Sequence, residues 1–245
     1  MTPNRYTPKT RDARAISDKL VQSFPPIEGV ILCGSVARAD ADEWSDIDLV
    51  LIGSDRDLTA GRMREALGDL SNRVSLIYYS DEAFEEQYQG RTLFIKHLQK
   101  EGVILYDRSG KLKTMLGKPL PFVDISEGLR AHRARLALYS DARRFNNNFL
   151  FCFSHLYSIG KGVVMLALAN EGMLEFNREA AFHRFASLNP DLAEETRKIE
   201  QLRPFYCLVT GRRPEPLPFS YQAAGRQMQE VVQAIETLAR RAKTQ

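Results

Sequence analysis

Features that would assign a protein class at once are scarce in this sequence of 245 residues. It has only three cysteines, Cys33, Cys152 and Cys207, which are widely spaced and set among apolar residues. This pattern excludes a disulfide framework and metal-ligand spacing, and it predicts free thiols in a reducing compartment. The net charge is only +3, which is compatible with an anionic ligand but too small to argue for a nucleic-acid partner.

Long hydrophobic runs are also few. The N-terminus is polar, without the apolar core of a signal peptide. The most apolar run, Phe149 to Ala169, is interrupted by His155, Lys161 and two glycines. A membrane span needs about 20 residues that are largely free of charge, so we expect a buried helix of a bundle here. The sequence predicts a cytoplasmic protein with no membrane partner.

The first part of the chain alternates helical and strand patterns, which is typical of a small domain with helices packed on a sheet. Apolar residues at helical spacing lie between Thr10 and Ser23, and further helices are predicted over residues 36–41, 58–70, 81–89 and 91–101. Asp81 is the predicted cap of the third of these. The predicted strands are residues 29–33, 47–52, 73–80 and 102–107. We therefore predict one domain over residues 1–107.

The composition then changes. Residues 108–122 are rich in Gly, Pro and Lys and are interpreted as a linker. From Asp124 onward the sequence carries only helical patterns, predicted at residues 126–146, 149–171, 178–187, 191–209 and 221–243. We therefore expect an all-helical bundle over residues 123–245, and the fold class as a whole is predicted to be α+β.

One predicted strand contains an electrostatic conflict. The run Ile47 to Ile52 is aliphatic, yet Asp46 and Asp48 stand at its start. Alternate side chains of a strand share a face, so the two carboxylates project together and raise each other's pKa unless a cation neutralises them. Oxygen ligands suit Mg²⁺, which takes one or two carboxylates and completes its shell with water and phosphate oxygens. Asp46 and Asp48 are thus candidate metal ligands, with a solvated strand start as the alternative.

A glycine-serine turn precedes this doublet. Gly34 and Ser35 follow the first predicted strand and come before a short predicted helix, where backbone N–H groups favour an anion. Gly34 permits close approach of a phosphate, and the Ser35 hydroxyl can donate to it. Gly-Ser by itself is uninformative, but Gly-Ser after a strand, ten further residues, and then Asp-x-Asp opening a second strand form a specific pattern.

The stretch "GSVARADADEWSDID" resembles the signature of the DNA-polymerase-beta-like nucleotidyltransferases, with the spacing of the minimal and aminoglycoside nucleotidyltransferases. The resemblance covers about the first 107 residues. It implies a mixed sheet, a triphosphate held by Gly34 and Ser35, and Mg²⁺ bound by Asp46 and Asp48. Arg38 stands where the family often has an arginine and is a candidate phosphate contact, although a surface role is the alternative. Trp44 either stacks on a base or covers the sheet.

One position departs from the family. Active members usually supply a third carboxylate from a neighbouring strand, and the corresponding residue here is Ser75. A serine is neither an anionic ligand nor a useful base at neutral pH. Asp81, Glu82 or an acid of the helical domain is a candidate substitute. Loss of a general base typically lowers a rate by about 10²–10⁴-fold.

The resemblance implies Mg²⁺-dependent transfer of a nucleoside monophosphate, AMP, from ATP or another nucleoside triphosphate to a hydroxyl. A small molecule, a protein hydroxyl and a nucleic-acid end all stay open as acceptors. The alternative, motivated by Ser75, is an inactive nucleotide-binding or antitoxin-like regulator. A further alternative is an RNase of the HEPN type, because Arg178 and His183 match its Arg-x4-His spacing.

Overall fold

The computed structural model describes residues 8–43, 45–55, 57–118, 125–211, 217 and 219–244. The chain divides into an N-terminal unit, residues 1–122, and a helical unit, residues 123–245. The N-terminal unit contains a mixed four-stranded sheet with helices, and the second unit is helical throughout its described part. This confirms the predicted α+β class.

The N-terminal unit is built around its sheet. The strands are β1 (Ile27–Cys33), β2 (Ile47–Gly53), β3 (Val74–Ser80) and β4 (Val103–Asp107), and the helices are α1 (Pro8–Ser23), α2 (Gly34–Arg38), α3 (Ala60–Leu67), α4 (Asp81–Gln89), α5 (Leu93–Glu101) and α6 (Lys111–Gly117). The strand order is β3-β2-β1-β4. β1 runs antiparallel to both β2 and β4, whereas β2 and β3 are parallel and are joined by the crossover through α3.

Alternation along the strands divides the core between the two faces of the sheet. On the first face, Ile47, Leu49 and Leu51 of β2 pack in a cluster with residues of α1 and α3. On the second face, Val50 and Ile52 pack with residues of α4, α5 and α6. The sheet is therefore covered on both sides, and polar residues of its strands are placed at the ends.

Two local predictions in this unit need correction. The segment interpreted as a linker contains helix α6, whose Leu112 and Met115 are buried in the second-face cluster. The spacing of these two apolar residues allows a short amphipathic helix despite the flanking glycines. The cap of α4 is Ser80, whose hydroxyl accepts from the Ala83 N–H at 3.2 Å, and not Asp81, because the helix begins one residue earlier than its acid suggests.

The helical unit is organised by one long helix. Its elements are α7 (Ile125–Leu136), α8 (Phe149–Asn170), α9 (Arg178–Leu188), α10 (Ala193–Glu200), α11 (Arg203–Val209) and α12 (Tyr221–Thr244). All five of the other helices contact α8. By length and composition alone α8 could cross a membrane, but 61% of its most apolar window is buried inside the protein. This confirms the interpretation of the run as a buried bundle helix.

Two helices predicted as continuous are interrupted. The segment after α7 continues as two 3₁₀ turns, Ala137–Ser140 and Ala142–Phe145. The segment predicted over 191–209 divides into α10 and α11, with Pro204 in the first turn of α11. Proline has no N–H and disfavours a helical conformation in the residue before it, so α11 starts afresh at this point.

A histidine fills the contact between α7 and α8. The ring of His132 lies against Gly162, where an added Cβ would stand 2.4 Å from its Nε2. The pKa of His132 is lowered to about 4, first by burial and then by the positive charges of Arg135 and Lys161. Within the described part of the chain its Nδ1 is buried without a hydrogen-bond partner. The imidazole therefore packs as a neutral ring.

This packing predicts a loss of stability in mild acid. The pKa of His132 is lower in the folded chain, about 4, than the value near 6.5 of an unfolded histidine. The unfolded state therefore binds more protons, and stability that is complete above pH 6.5 declines as the pH falls towards 4. By pH 5 this amounts to about 2 kcal/mol.

Urea unfolding of the wild type and of His132→Gln at pH 7.5 and pH 5 measures this effect. The variant should lose less free energy of unfolding between the two pH values than the wild type does. His183→Gln, which removes an exposed histidine of α9, is the matched control and should retain the full wild-type loss. Equal losses in His132→Gln and the wild type would contradict the assignment.

Candidate active site

One end of the sheet collects the residues singled out in the sequence. In the antiparallel pair, Cys33 at the end of β1 lies opposite Asp48 at the start of β2. In the parallel pair, Asp48 is in register with Ser75 at the start of β3. The start of β4 is at the same end, because Val103 pairs with Leu32. One strand end and three strand starts therefore meet where the acid doublet stands.

Asp48 lies on the second face of the sheet. Its neighbours Ile47 and Leu49 are buried in the first-face cluster, so the Asp48 side chain points the other way, to the face that Cys33 and Val50 share. Asp46 precedes β2 by one residue, and both carboxylates are partly exposed. The structure thus gives the doublet a position at the rim of the sheet, between its core and solvent.

The glycine-serine turn lies against this doublet. Gly34 has φ +72°, in the left-handed region that favours glycine. A Cβ added to it would stand 2.2 Å from Asp48 Oδ2. The backbone of the turn and the second carboxylate of the doublet therefore approach each other more closely than any side chain at position 34 would allow. The glycine-serine turn and the Asp-x-Asp pair, which are separated by ten residues in the sequence, are therefore neighbours in the structure.

Cys33 directly precedes the glycine-serine turn and lies opposite Asp48. The pKa of Cys33 is raised to about 12, first by burial and then by the negative charges of Asp48, Glu101 and Asp46. Its thiol lies 3.7 Å from the carbonyl oxygen of Asp48 and donates to it. Cys33 is therefore a buried strand residue and not a nucleophile, since a protonated thiol does not attack. The acids Asp48, Glu101 and Asp46 act on its thiol.

Arg38 is held by carboxylates. Its Nε donates to Asp40 Oδ2 at 3.0 Å, and its Nη1 donates to Glu101 Oε2 at 2.9 Å. Burial alone would lower the pKa of Arg38, but the hydrogen bonds to Glu101 and Asp40 raise it. Two of the three guanidinium nitrogens are thus engaged within the protein. This arrangement fixes the C-terminal end of α2 to the end of α5.

Glu101 and His97 complete this network, and sequence reasoning missed both. Glu101 is only 7% exposed, and its Oε2 also lies 3.1 Å from His97 Nε2. Burial alone would raise the pKa of Glu101, but the hydrogen bonds with His97 and Arg38 hold it below its usual value. The available signal was the i, i+4 spacing of His97 and Glu101 on one helix face, directly before the last strand.

Ser75 lies beside Asp48, at the position where the family resemblance predicts a third carboxylate. Ser75 is in register with Asp48 on the adjacent strand and so points to the same face. Asp81 and Glu82 follow the other end of β3, which from Ser75 spans about 16 Å at 3.3 Å per residue. That distance excludes both acids as substitutes for Ser75. Among the described residues, no group of three or more Asp, Glu, His or Cys is placed to hold a metal.

The second candidate site, on α9, is not assembled. Arg178 and His183 are five residues apart, which turns their side chains about 140° from each other around the helix. The Arg178 guanidinium lies over the ring of Tyr206, 5.4 Å from its centroid, whereas His183 is exposed. The two residues do not share a face, so their spacing alone supports no common RNase site. Trp44 lies outside the described residues.

The contact between Gly34 and Asp48 generates a matched pair of variants. Gly34→Ala is expected to displace the Asp48 carboxylate, since the new methyl group would overlap its oxygen. Gly110→Ala is the control: it has φ +74°, and no described atom lies within 4 Å of its added Cβ. Both variants meet the same left-handed backbone strain, about 1–2 kcal/mol.

Only Gly34→Ala should lose affinity for Mg²⁺-ATP in isothermal titration calorimetry. Melting temperatures of the two variants should fall by similar amounts, which separates strain from displacement of the carboxylate. If Gly34→Ala and Gly110→Ala bound Mg²⁺-ATP equally well, the turn would have no part in the site.

Comparison with known proteins shows what the chain is similar to. The family model of the polymerase beta nucleotidyltransferase domain matches residues 16–111. No curated protein sequence matches the chain. Several solved structures do.

Three of these structures are informative to name. A spectinomycin adenyltransferase from Enterococcus faecialis, solved with ATP and spectinomycin, is 13% identical with a TM-score of 0.50, and the match covers 95% of this chain and 99% of that one. A nucleotidyltransferase-like protein from Exiguobacterium sibiricum is 13% identical with a TM-score of 0.39, covering 93% of this chain and 74% of that one. A toxin-antitoxin structure with AMP-PNP is 16% identical with a TM-score of 0.33, covering 53% of this chain and 98% of that one.

The likeness to the adenyltransferase shows a shared fold over nearly the whole chain. The family match covers all four strands, the glycine-serine turn and both aspartates. From the sheet, the turn and this match together, residues 16–111 of the chain form a nucleotidyltransferase domain of the polymerase beta family.

Proposed function

We propose that this protein is a Mg²⁺-dependent nucleotidyltransferase that moves AMP from ATP to a hydroxyl group of an acceptor. The observation that carries the proposal is the close approach of the Gly34 backbone to the Asp48 carboxylate. A phosphate-binding turn and a metal-binding acid are useful together only if one ligand carries both phosphate and metal, as a metal-nucleotide does.

The chemistry of the donor set fits Mg²⁺. Asp46 and Asp48 supply two carboxylates at the rim of the sheet, where Asp48 lies opposite Cys33 and Asp46 directly precedes β2. Mg²⁺ commonly binds one or two carboxylates together with waters and phosphate oxygens. When bound, it would neutralise phosphate charge that otherwise repels the nucleophile and the two acids.

Each residue of the turn has a separate role in this proposal. Gly34 brings the backbone of the turn against Asp48, so that the β- and γ-phosphates would reach the turn and the metal together, and the Ser35 hydroxyl would donate to one of them. Arg38 was predicted as a phosphate contact. Because Asp40 and Glu101 already hold its guanidinium, we assign it to fixing α2, and thereby the turn, in position.

The reaction is a displacement at the α-phosphorus. The acceptor oxygen forms a bond to this atom, the bond from the α-phosphorus to the bridging oxygen breaks, and pyrophosphate leaves. The hydroxyl proton passes to solvent or to the Asp48 carboxylate, because Ser75 cannot accept it at neutral pH. Catalysis of this kind depends mainly on positioning and charge neutralisation, so a site with two carboxylates retains the central requirements.

ATP as donor is supported by the adenyltransferase of similar fold, which was solved with ATP and spectinomycin. A hydroxyl on a small molecule or on a protein is the acceptor class that we propose. A cytoplasmic location fits the supply of ATP and the three buried free thiols.

A second candidate function is a nucleotide-binding regulator without turnover. It is favoured by one observation, the register of Ser75 with Asp48, which places a hydroxyl where the third acid belongs. The two functions share the nucleotide site and differ only in release of pyrophosphate.

The first test compares the wild type with Asp48→Asn. The protein is incubated with labelled ATP, Mg²⁺ and panels of aminocyclitol, sugar and protein acceptors, and pyrophosphate release is measured. The wild type should release pyrophosphate, and Asp48→Asn should lose at least about 10²-fold in rate, since it removes a metal ligand. Asp69→Asn, which neutralises an exposed acid of the same unit, is the control.

Tight binding of ATP by the wild type, without pyrophosphate release for any acceptor, would refute the transferase function and support the nucleotide-binding regulator. Absence of Mg²⁺-ATP binding would end both proposals.

The second test adds the missing acid. Ser75→Asp places a carboxylate beside Asp48 on the same face and should raise turnover by about 10²-fold, the lower part of the range for a general base. Ser54→Asp adds the same charge to an exposed serine just beyond the opposite end of β2 and should leave turnover unchanged. A Ser75→Asp protein that folds and binds Mg²⁺-ATP but gains no rate would refute this account of the departure.

A further inference from the structure

Lys9 binds the loop that leads into the acid doublet. Its Nζ donates to three backbone carbonyl oxygens of one short segment, those of Asp42, Glu43 and Ser45, at 3.3 Å for Glu43 and 2.8 Å for Ser45. An ammonium group has three donors, and here all three have partners within four consecutive residues. This is a specific anchor for a segment that belongs to neither a helix nor a strand.

The position of Lys9 is electrostatically unfavourable without that segment. It is the second residue of α1, whose first turn contains no acid. The N-terminal end of a helix carries partial positive charge and disfavours a cation. The three carbonyl oxygens compensate for this, so the contact explains a lysine at a place where the helix alone would not favour one. Lys9 also lies outside the segment that the family model matches, residues 16–111.

The segment that Lys9 holds leads directly into Asp46, and it therefore sets the position of this residue. Within it, the Asp42 N–H donates to Ser45 Oγ at 3.0 Å, and Ser45 Oγ donates to Asp42 Oδ1 at 2.7 Å. These bonds close a compact turn. Asp46 follows this turn directly, and Asp48 is two residues further on in β2. A shift of the turn would therefore move the first carboxylate relative to the second.

We propose that Lys9 is a positioning residue for the metal-nucleotide site: its ammonium holds the carbonyl groups of Asp42, Glu43 and Ser45 to α1 and thereby keeps Asp46 beside Asp48. This inference rests on the proposed function. It predicts that affinity for Mg²⁺-ATP depends on a side chain that does not contact the ligand. Groups that orient metal ligands typically contribute about 10–100-fold to metal affinity.

The test is calorimetric titration of the full chain with Mg²⁺-ATP, together with hydrogen exchange of the peptide covering residues 42–48. Lys9→Met keeps most of the side-chain length and removes the donors. It should weaken binding by about 10–100-fold and accelerate exchange in that peptide. Lys19→Met removes an exposed lysine of the same helix and should change neither quantity.

Chemical rescue separates positioning from a general loss of stability. In Lys9→Cys, alkylation with 2-bromoethylamine forms a carbon–sulfur bond, releases bromide and restores an ammonium at nearly the original distance. Iodoacetamide gives a neutral adduct instead. The three native cysteines are buried, so the new thiol reacts selectively. The aminoethyl adduct should regain most of the wild-type affinity, and the neutral adduct should not.

The outcomes distinguish the two proposals. A wild type that binds Mg²⁺-ATP, with Lys9→Met equal to it in affinity and exchange, overturns this inference and leaves the proposed function in place. Weak binding that the aminoethyl adduct does not restore also overturns it. A wild type that binds no Mg²⁺-ATP overturns the proposed function and the positioning role together.

Discussion

The close approach of the Gly34 backbone to the Asp48 carboxylate is the constraint on which the described end of the sheet depends, since a Cβ at position 34 would overlap the Asp48 oxygen. Burial and the nearby charges of Asp48, Glu101 and Asp46 raise the pKa of the neighbouring Cys33 thiol. Aliphatic residues on the opposite face of β2 are buried, and this fixes the face to which Asp48 points. The sheet therefore presents the pair Asp46 and Asp48 at this end.

Two cations near this end of the sheet restrain the backbone of the elements around the pair. Arg38 is paired with Asp40 and Glu101, and Lys9 with carbonyl oxygens of the loop. Each cation therefore links two chain segments, α2 to α5 and α1 to the loop before β2. These contacts fix the elements that carry the carboxylates, which is the requirement for preorganised binding.

The sequence predicts what is local and misses what depends on register. The four strands and the glycine-serine turn follow from apolar runs and from residue types at turns, and the adjacency of Asp48 and Ser75 follows from the family pattern. Helix α6 was missed because Gly and Pro around Leu112 and Met115 mask a short apolar pair. Glu101 was missed because its role arises from β4 pairing with β1, which brings the end of α5 to Arg38.

Register also decides what Ser75 means for the chemistry. Sequence distance made Asp81 and Glu82 plausible substitutes, but strand geometry places them at the other end of β3, about 16 Å away. The described N-terminal unit therefore offers two carboxylates at this position, and a serine hydroxyl beside them. Transfer of this type relies on alignment and charge neutralisation more than on proton abstraction. The loss of a base would therefore lower the rate of transfer without preventing the site from binding a metal-nucleotide. Under the proposed function, the same two acids would serve either a slow transferase or a nucleotide-binding regulator, and the two would differ only in the rate of pyrophosphate release.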